Sequence, residues 1–175
     1  MTQTTDTIPK IIHQTWKTYT LPTVFDTWSS TWKAFNPGYQ YRLWSDDDNL
    51  NFIKSRYPEF LDDYLSYNQH IKRVDAVRYF YLYEHGGIYC DLDFECLMGF
   101  DDLLARYSNK DVILGYMGTD RDFIHCIPNA IMISKPKSPF WLHVIREMKK
   151  RINTGRPEFD TGPILLKQCY DSYED

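Results

Sequence analysis

The sequence contains no long apolar run, and this absence excludes several classes of protein. Nowhere do ~18 consecutive apolar residues occur, so no membrane-spanning helix is predicted. The first residues, Met-Thr-Gln-Thr-Thr-Asp-Thr, also lack the basic start and apolar run of a signal peptide. The sequence therefore predicts neither a transmembrane segment nor a secretory leader.

Cysteines and basic residues are too few or too scattered for several other classes. The cysteines show neither the C-x-x-C spacing of zinc sites nor the density of a disulfide scaffold, which favours buried or incidental thiols. A formal net charge of −4 without a basic run argues against nucleic acid as a partner. We expect a cytoplasmic protein, either free or peripheral to a membrane, with reduced thiols at Cys90, Cys96, Cys126 and Cys169.

The composition that remains is that of a globular α/β domain. At 175 residues, 43% apolar and 17% aromatic, the chain can form one domain with a sizeable core, expected over residues 8–175 after a flexible N-terminus at 1–7. Alternating strand and helix patterns predict a mostly parallel central sheet flanked by helices, with ligands at the carboxyl ends of the strands. The predicted strands cover residues 8–16, 39–44, 88–95, 111–116 and 124–134, and the predicted helices cover 24–35, 46–55, 59–66, 70–85, 100–107, 138–151 and a segment beginning at 161.

The Asp-x-Asp pattern occurs three times, at Asp46/Asp48, Asp91/Asp93 and Asp120/Asp122. The first pair follows Ser45 at a predicted helix start, where acid suits the positive end of the helix, and the third lies in a polar loop. Only Asp91 and Asp93 follow a Gly-Gly turn and an apolar strand. If the strand continues through them, both carboxylates share one face and suit Mg²⁺ or Mn²⁺, whereas a solvated strand end is the alternative.

Asp75 and Arg78 share a face of the preceding predicted helix, because they are three residues apart. A structural ion pair within the helix is one reading. The other is that the helix delivers a carboxylate for sugar hydroxyls and a guanidinium for oxyanions to the cleft that holds the aspartates. No glycine-rich phosphate loop is present, so a metal would have to take that role. A lone histidine on an apolar strand, His13, is interpreted as a hydrogen-bonded core residue.

Five motifs, in this order, resemble those of the DxD-containing sugar-transferase family. That family includes the initiating α-1,6-mannosyltransferase of yeast, the inositol-phosphoceramide mannosyltransferases and capsular-polysaccharide transferases, and is distantly similar to the catalytic domain of clostridial glucosylating toxins. The motifs span nearly the whole chain and are highly specific together. They are Ile-Pro-Lys-Ile-Ile-His-Gln-Thr-Trp-Lys at 8–17, Arg-Val-Asp-Ala-Val-Arg-Tyr at 73–79, Gly-Gly-Ile-Tyr-Cys-Asp-Leu-Asp at 86–93, Asn-Ala-Ile-Met-Ile-Ser-Lys-Pro at 129–136 and Thr-Gly-Pro at 161–163.

The resemblance implies a GT-A fold, a UDP- or GDP-sugar donor, Mn²⁺ or Mg²⁺, and transfer of a hexose with retention of configuration. By position, Asp93 would bind the metal directly and Asp91 would support the metal and the ribose. Asp75 would hold ribose or sugar hydroxyls, and Arg78 would contact the donor sugar or diphosphate. The other expected donor-binding residues are Trp16 against the base, Asn129 and Ala130 near the donor or acceptor sugar, and Gly162 on the far side of the cleft.

Stabilisation of the departing nucleoside diphosphate is the main catalytic task in this scheme. The predicted catalytic residues are therefore Asp91, Asp93 and Arg78, and no protein nucleophile is assigned. The acceptor would be a hydroxyl group of a glycan, lipid or protein, and the hexose mannose, galactose or glucose.

Relatives in this family usually continue well beyond the Thr-Gly-Pro motif, whereas this sequence stops at Asp175. A second hypothesis is therefore a minimal or truncated nucleotide-sugar-binding module with little or no transfer activity. Nucleotidyl transfer or pyrophosphate hydrolysis by the same acid pair is a third, which the missing triphosphate loop disfavours.

Overall fold

The computed structural model describes residues 7–174, which fold around one five-stranded sheet. The strands are β1 (Ile11–Thr15), β2 (Gln40–Trp44), β3 (Gly87–Cys90), β4 (Val112–Leu114) and β5 (Ile131–Ser134). Their order across the sheet is β2-β1-β3-β5-β4. Strand β1 pairs in parallel with β2 and β3, whereas β5 is antiparallel to β3 and β4. Four strands thus point one way and β5 runs against them.

Helices flank this open mixed sheet, which confirms the predicted α/β fold. They are α1 (Thr23–Phe35), α2 (Asp46–Arg56), α3 (Leu61–Ser66), α4 (His70–His85), α5 (Asp101–Arg106), α6 (Pro139–Lys149), α7 (Pro157–Asp160) and α8 (Pro163–Ser172), with a short 3-10 turn at Pro58–Phe60. Within the described part of the chain, no helix is long and apolar enough to cross a membrane.

Local sequence signals explain two of the boundaries that position the site. Ser45 caps α2, since its hydroxyl accepts from the Asp48 N–H while the Asp48 carboxylate accepts from the Ser45 N–H. Gly86 and Gly87 follow α4 with φ of +63° and +91°. A Cβ on Gly87 would lie 2.5 Å from the Ile11 carbonyl oxygen, so only glycine lets β3 start against β1.

The short strand β3 is buried on both faces, which places it at the centre of the core. Tyr89 packs into the larger apolar cluster with α4, α6 and α8, whereas Ile88 and Cys90 pack into a second cluster with Trp32 of α1. The side chains of this strand alternate between its two faces as predicted, but both faces are buried, each in a different apolar cluster.

The prediction that β3 continues through Asp91 and Asp93 is wrong. The strand ends at Cys90, and a turn follows at residues 92 and 93. The reason is loss of the β1 partner: β1 pairs with β3 at Ile12↔Ile88 and His13↔Tyr89 and not beyond. The Gln14 side chain then donates to the Asp91 carbonyl oxygen at 3.2 Å. The shared strand face is therefore not what brings the two aspartates together.

Two other predictions also need correction. The strand predicted over 124–134 begins only at Ile131, because the preceding loop closes on itself through the Met117 N–H to Cys126 carbonyl bond of 2.7 Å. The apolar spacing of the predicted helix at 70–85 also predicts that Ile71 points into the core with Val74 and Val77, but Ile71 is 48% exposed. The predicted flexible N-terminus lies, except for residue 7, outside the described residues, and the domain boundary at residue 8 stays a prediction.

Candidate active site

Four segments meet at the edge of the sheet where β1 and β3 end. Helix α4 supplies Asp75 and Arg78, and the turn after β3 supplies Asp91. Asn129 and Ala130 precede β5, which runs antiparallel and so begins at this same edge. Gly162 lies just before α8, where its carbonyl oxygen is 3.5 Å from the Tyr79 hydroxyl.

Arg78 is the centre of this arrangement. Its Nη2 lies 3.0 Å from Asp75 Oδ1, and its Nη1 lies 3.2 Å from Asp91 Oδ1. The same Nη1 donates to the Asn129 carbonyl oxygen at 2.8 Å. The ion pair within the helix, the first reading of the Asp75 and Arg78 spacing, is confirmed, and the same guanidinium also reaches the aspartate beyond the Gly-Gly turn.

Asp75 is held on its other sides by neutral groups. The Asn129 side-chain amide donates to Asp75 Oδ1 at 3.1 Å, and the Thr161 hydroxyl lies 3.5 Å from Asp75 Oδ2. The Tyr79 hydroxyl donates to the Thr161 carbonyl oxygen at 2.8 Å, which fixes the Thr-Gly-Pro turn against α4. Asp75 is only 7% exposed, so these bonds compensate for much of its lost hydration.

Asp91 is fixed by its backbone and by a neighbouring ring. Its N–H donates to the Ala130 carbonyl oxygen at 2.8 Å, and Oδ1 accepts from the Tyr89 hydroxyl at 2.6 Å. The Arg78 guanidinium carbon also lies 4.6 Å from the centre of the Tyr89 ring, within cation–π range. Tyr89 was not predicted as a site residue, although its position two residues before Asp91 in the pleat was a usable signal.

A cleft of about 310 Å³ opens beside this network. Its apolar lining includes Ile71 and the rings of Trp16 and Phe25, which are in edge-to-face contact at 5.1 Å. Its charged lining includes Lys17, Arg78, Asp91 and Asp93. Trp16 and both aspartates therefore line one cavity, whereas Asp75 does not line it and is connected to it through its pair with Arg78. His70 and Asp46, paired at 3.3 Å on the rim, were not predicted.

The electrostatics of the network favour a charged guanidinium. Burial by itself lowers the pKa of Arg78, but the carboxylates of Asp91 and Asp75 help to raise it well above its usual range. Burial raises the pKa of the Asp75 carboxyl, against the lowering effect of Arg78. Burial also raises the pKa of the Tyr89 phenol far above neutrality, so Tyr89 remains a hydrogen-bond donor to Asp91.

The carboxylates around Arg78 fit a divalent cation that has few protein ligands and keeps most of its coordination sites for a bound substrate. The Arg78 guanidinium pairs with the carboxylates of Asp75 and Asp91. The cleft is also lined by Asp93, Asp46 and Lys17, so the four carboxylates of the cleft and network exceed the two cations by two charges. Asp93 is exposed, and its oxygen atoms are hard ligands of the kind that Mg²⁺ and Mn²⁺ prefer. Among residues 7–174, no cluster of three or more acidic, histidine or cysteine side chains forms a complete metal cage.

Two residues near the site have structural roles. Arg73, the first residue of the helix motif, donates to the carbonyl oxygens of residues 64, 65 and 67 at the end of α3. His13 is fully buried, with Nε2 3.0 Å from the Gly86 carbonyl oxygen and Nδ1 accepting from Trp44 Nε1 at 3.1 Å. The interpretation of His13 as a hydrogen-bonded core residue is confirmed.

Comparisons with known proteins agree on one family. The model for the "Glycosyltransferase sugar-binding region containing DXD motif" matches residues 22–110, which include Asp75, Arg78, Asp91 and Asp93. Mannosyl phosphorylinositol ceramide synthase SUR1 of Saccharomyces cerevisiae is 39% identical over 174 residues, covering 95% of this chain and 43% of that protein. Inositol phosphoceramide mannosyltransferase 3 of Schizosaccharomyces pombe is 37% identical, covering 95% and 46%.

A comparison with a solved structure, and the share of each relative that this chain covers, show how far the similarity extends. The solved structure of PaToxG glycosyltransferase superposes with a TM-score of 0.65 at 16% identity, covering 93% of this chain and 67% of that chain. At that identity the likeness concerns the fold alone. The chain spans less than half the length of the two curated relatives described above.

Proposed function

The chain belongs to the glycosyltransferase family whose sugar-binding region contains a DXD motif, and on that premise we propose that it transfers mannose from a nucleotide-sugar donor to a lipid-borne acceptor hydroxyl. The names of the relatives, a mannosyl phosphorylinositol ceramide synthase and an inositol phosphoceramide mannosyltransferase, support both the sugar and the acceptor class. The observation that carries the proposal is the Asp75–Arg78–Asp91 network, which opens into a cleft also lined by Asp93 and Trp16.

The proposed donor position follows from the two kinds of side chain that line the cleft. The Trp16 and Phe25 rings offer flat apolar surface for a nucleotide base. The charged side chains Arg78, Asp91 and Asp93 then receive the ribose and the diphosphate. Asn129 and Ala130, which join Asp75 and Asp91 to the start of β5, border the sugar, with Gly162 beyond them.

We propose Asp93 as the direct ligand of Mn²⁺ or Mg²⁺ and Asp91 as its support. Such a cation, when bound, would neutralise the charge that develops on the departing diphosphate. Arg78 places both Asp75 and Asp91, since Nη1 and Nη2 already have protein partners, and adds positive charge behind the diphosphate. Retention of configuration and a cytoplasmic location are further parts of the proposal.

The test is a set of three assays on the same protein: donor binding, donor hydrolysis and transfer to an inositol phosphoceramide acceptor. GDP-mannose, UDP-glucose and UDP-galactose are each used with and without Mn²⁺. We expect metal-dependent binding and mannosyl transfer, and the product's anomeric configuration reports on retention. Binding without hydrolysis or transfer would instead support the nucleotide-sugar-binding module.

The site assignment is tested by Asp93→Ala. We expect this variant to lose metal-dependent donor binding and transfer, because the exposed carboxylate next to the Arg78 network is removed. Asp102→Ala, at the start of α5 and equally exposed, is the matched control and should behave as the unmodified protein. Normal transfer by Asp93→Ala would overturn the assignment.

A further inference from the structure

The loop that joins β4 to β5 exposes a cluster of apolar side chains. Tyr116 is 36% exposed, Met117 53%, Phe123 48% and Ile124 43%, and Tyr170 of α8 beside them is 46% exposed. We call these five residues the β4–β5 surface. Large apolar side chains grouped on a surface typically mark a place of interaction.

The loop holds these side chains outward by its own hydrogen bonds. The Met117 N–H donates to the Cys126 carbonyl oxygen at 2.7 Å, and the Cys126 N–H donates to the Phe123 carbonyl oxygen at 2.9 Å. The Tyr116 ring contacts the Tyr170 ring edge-on, with centroids 6.3 Å apart. The backbone of the loop is therefore anchored, while its apolar side chains are left without a core to enter.

The loop that bears this surface leads into the candidate active site. The loop leaves the carboxyl end of β4 and enters the amino end of β5, which is the sheet edge where Asp91 lies. Its last residues are Asn129 and Ala130, which bond to Asp75, Arg78 and Asp91. One loop thus carries both the β4–β5 surface and, at its end, the residues expected at the transferred sugar.

A second exposed apolar pair lies at the opposite edge of the sheet. Leu97 is 75% exposed and Met98 73%. They adjoin Gly99, where an added Cβ would lie 2.9 Å from the carbonyl oxygen of Phe35. Phe35 ends α1 shortly before the amino end of β2, which places the pair at the edge of the sheet away from Asp91. This pair is more exposed than the β4–β5 surface but is remote from the cleft, so it provides an internal control.

We propose that the β4–β5 surface docks on the bilayer that holds the acceptor and presents the lipid head group to the cleft. This inference rests on the lipid acceptor of the proposed function. Tyrosine, phenylalanine and aliphatic side chains are the types that enter the bilayer interface. The loop's one cation, Arg121, stacks on Tyr116 at 3.7 Å and is flanked by exposed Asp120 and Asp122. Without excess positive charge, docking relies on apolar burial and requires no anionic lipid.

The experiment is co-sedimentation of the whole chain with vesicles of neutral phosphatidylcholine at low and high salt. We expect binding that changes little with salt. Replacing Met117, Phe123 and Ile124 by Ser should weaken binding by about tenfold or more, since three side chains lose contact with lipid. The Leu97→Ser, Met98→Ser control should bind as the unmodified protein does. Thermal unfolding of both variants checks that each is folded.

Three outcomes would overturn the proposal. The first is failure of the unmodified protein to bind vesicles, and the second is equal loss of binding in the control. The third is a concentration-dependent dimer that the loop variant abolishes while vesicle binding is unchanged, since a second copy would then cover the surface.

Transfer assays separate this proposal from the proposed function. Absence of transfer to any acceptor would contradict the function, whereas vesicle binding is measured without it. If the protein is active, the loop variant should lose transfer to vesicle-embedded acceptor by about tenfold but keep donor hydrolysis.

Discussion

Helix α4 carries two buried cations, Lys72 and Arg78, that meet carboxylates in different ways. Lys72 Nζ lies 2.8 Å from Asp160 Oδ2, and both side chains are completely buried. The Arg78 side chain is 4% exposed, yet that of its partner Asp91 is 31% exposed. The first pair is sealed and balanced in charge, whereas the second opens to a cleft and has excess negative charge.

The difference indicates which pair serves the fold and which serves a ligand. Lys72 also donates to Asn68 Oδ1 at 2.9 Å, and the Asp160 carboxylate accepts from the Thr154 hydroxyl, so the sealed pair ties α4 to the segment before α7. No polar atom of that pair is left for a ligand to contact. Buried ion pairs are costly to break in either case, so stability and ligand binding must be measured separately.

Arg78→Met should have the largest effect because it breaks the open network. Asp75 would remain buried and Asp91 would lose its cation, so we expect the free energy of unfolding to fall by about 3–5 kcal/mol and donor binding to be lost. Urea unfolding and calorimetric titration with GDP-mannose measure the two quantities. Donor binding unchanged in the folded variant would show that Arg78 has only a structural role.

Lys72→Met should affect stability alone. Removing the cation leaves Asp160 buried, and we expect the free energy of unfolding to fall by about 3–5 kcal/mol without a change in donor affinity. The matched control is Lys10→Met, because Lys10 lies 2.8 Å from Asp101 at the surface, where both side chains are more than half exposed. Little change is expected there. A weakened donor affinity in Lys72→Met would contradict the separation of the two pairs.

Acid should destabilise a third group, the stacked rings of buried His13 and half-buried His85. Burial lowers the pKa of His13 to about 3 and that of His85 to about 4. The unfolded chain binds these protons near pH 6.5, so stability is full above that pH and falls as the pH drops towards the folded values.

For His13 alone the expected loss is about 2 kcal/mol between pH 7.5 and pH 5. Asp75 has the opposite effect on stability. Because burial raises its pKa, the folded protein binds this proton at a higher pH than the unfolded chain does, which stabilises the fold as the pH falls. Urea unfolding at the two pH values measures the sum, and His13→Gln should flatten the dependence. A dependence unchanged in that variant would refute the role given to His13.

Tyr89→Phe should have the smallest effect and should act only on the open network. It removes the hydroxyl that donates to Asp91 Oδ1 but keeps the ring under Arg78. We expect a loss of about 1–2 kcal/mol in transition-state stabilisation, or roughly tenfold in kcat/KM, since one bond to a charged group is lost. Steady-state transfer assays test this, and an unchanged kcat/KM would show that Asp91 needs no such positioning.

Much of the fold could be predicted because its signals are local. The Ser45 capping box and the Gly86-Gly87 turn each act within a few residues. The end of β3 could not be predicted, because it depends on where the partner strand β1 diverges, a contact 76 residues away in sequence. The late start of β5 could not be predicted either, because it depends on a backbone bond between residues 117 and 126 that closes the preceding loop.

The candidate site was predicted as a set of residues more fully than as a geometry. The resemblance named Asp75, Arg78, Asp91 and Asn129, and the structure joins these four by direct bonds. The strand face that was expected to align the aspartates does not exist, since a turn replaces it. Their roles toward donor and metal remain predictions.

Calorimetric titration with GDP-mannose, with and without Mn²⁺, tests most directly the claim that the open network binds a nucleotide-sugar donor. The unmodified protein should bind at least about tenfold more tightly with Mn²⁺, and Asp93→Ala should lose that gain. Lys72→Met, once folded, should keep it. Equal Mn²⁺-dependent binding by the unmodified protein and by Asp93→Ala would contradict the account.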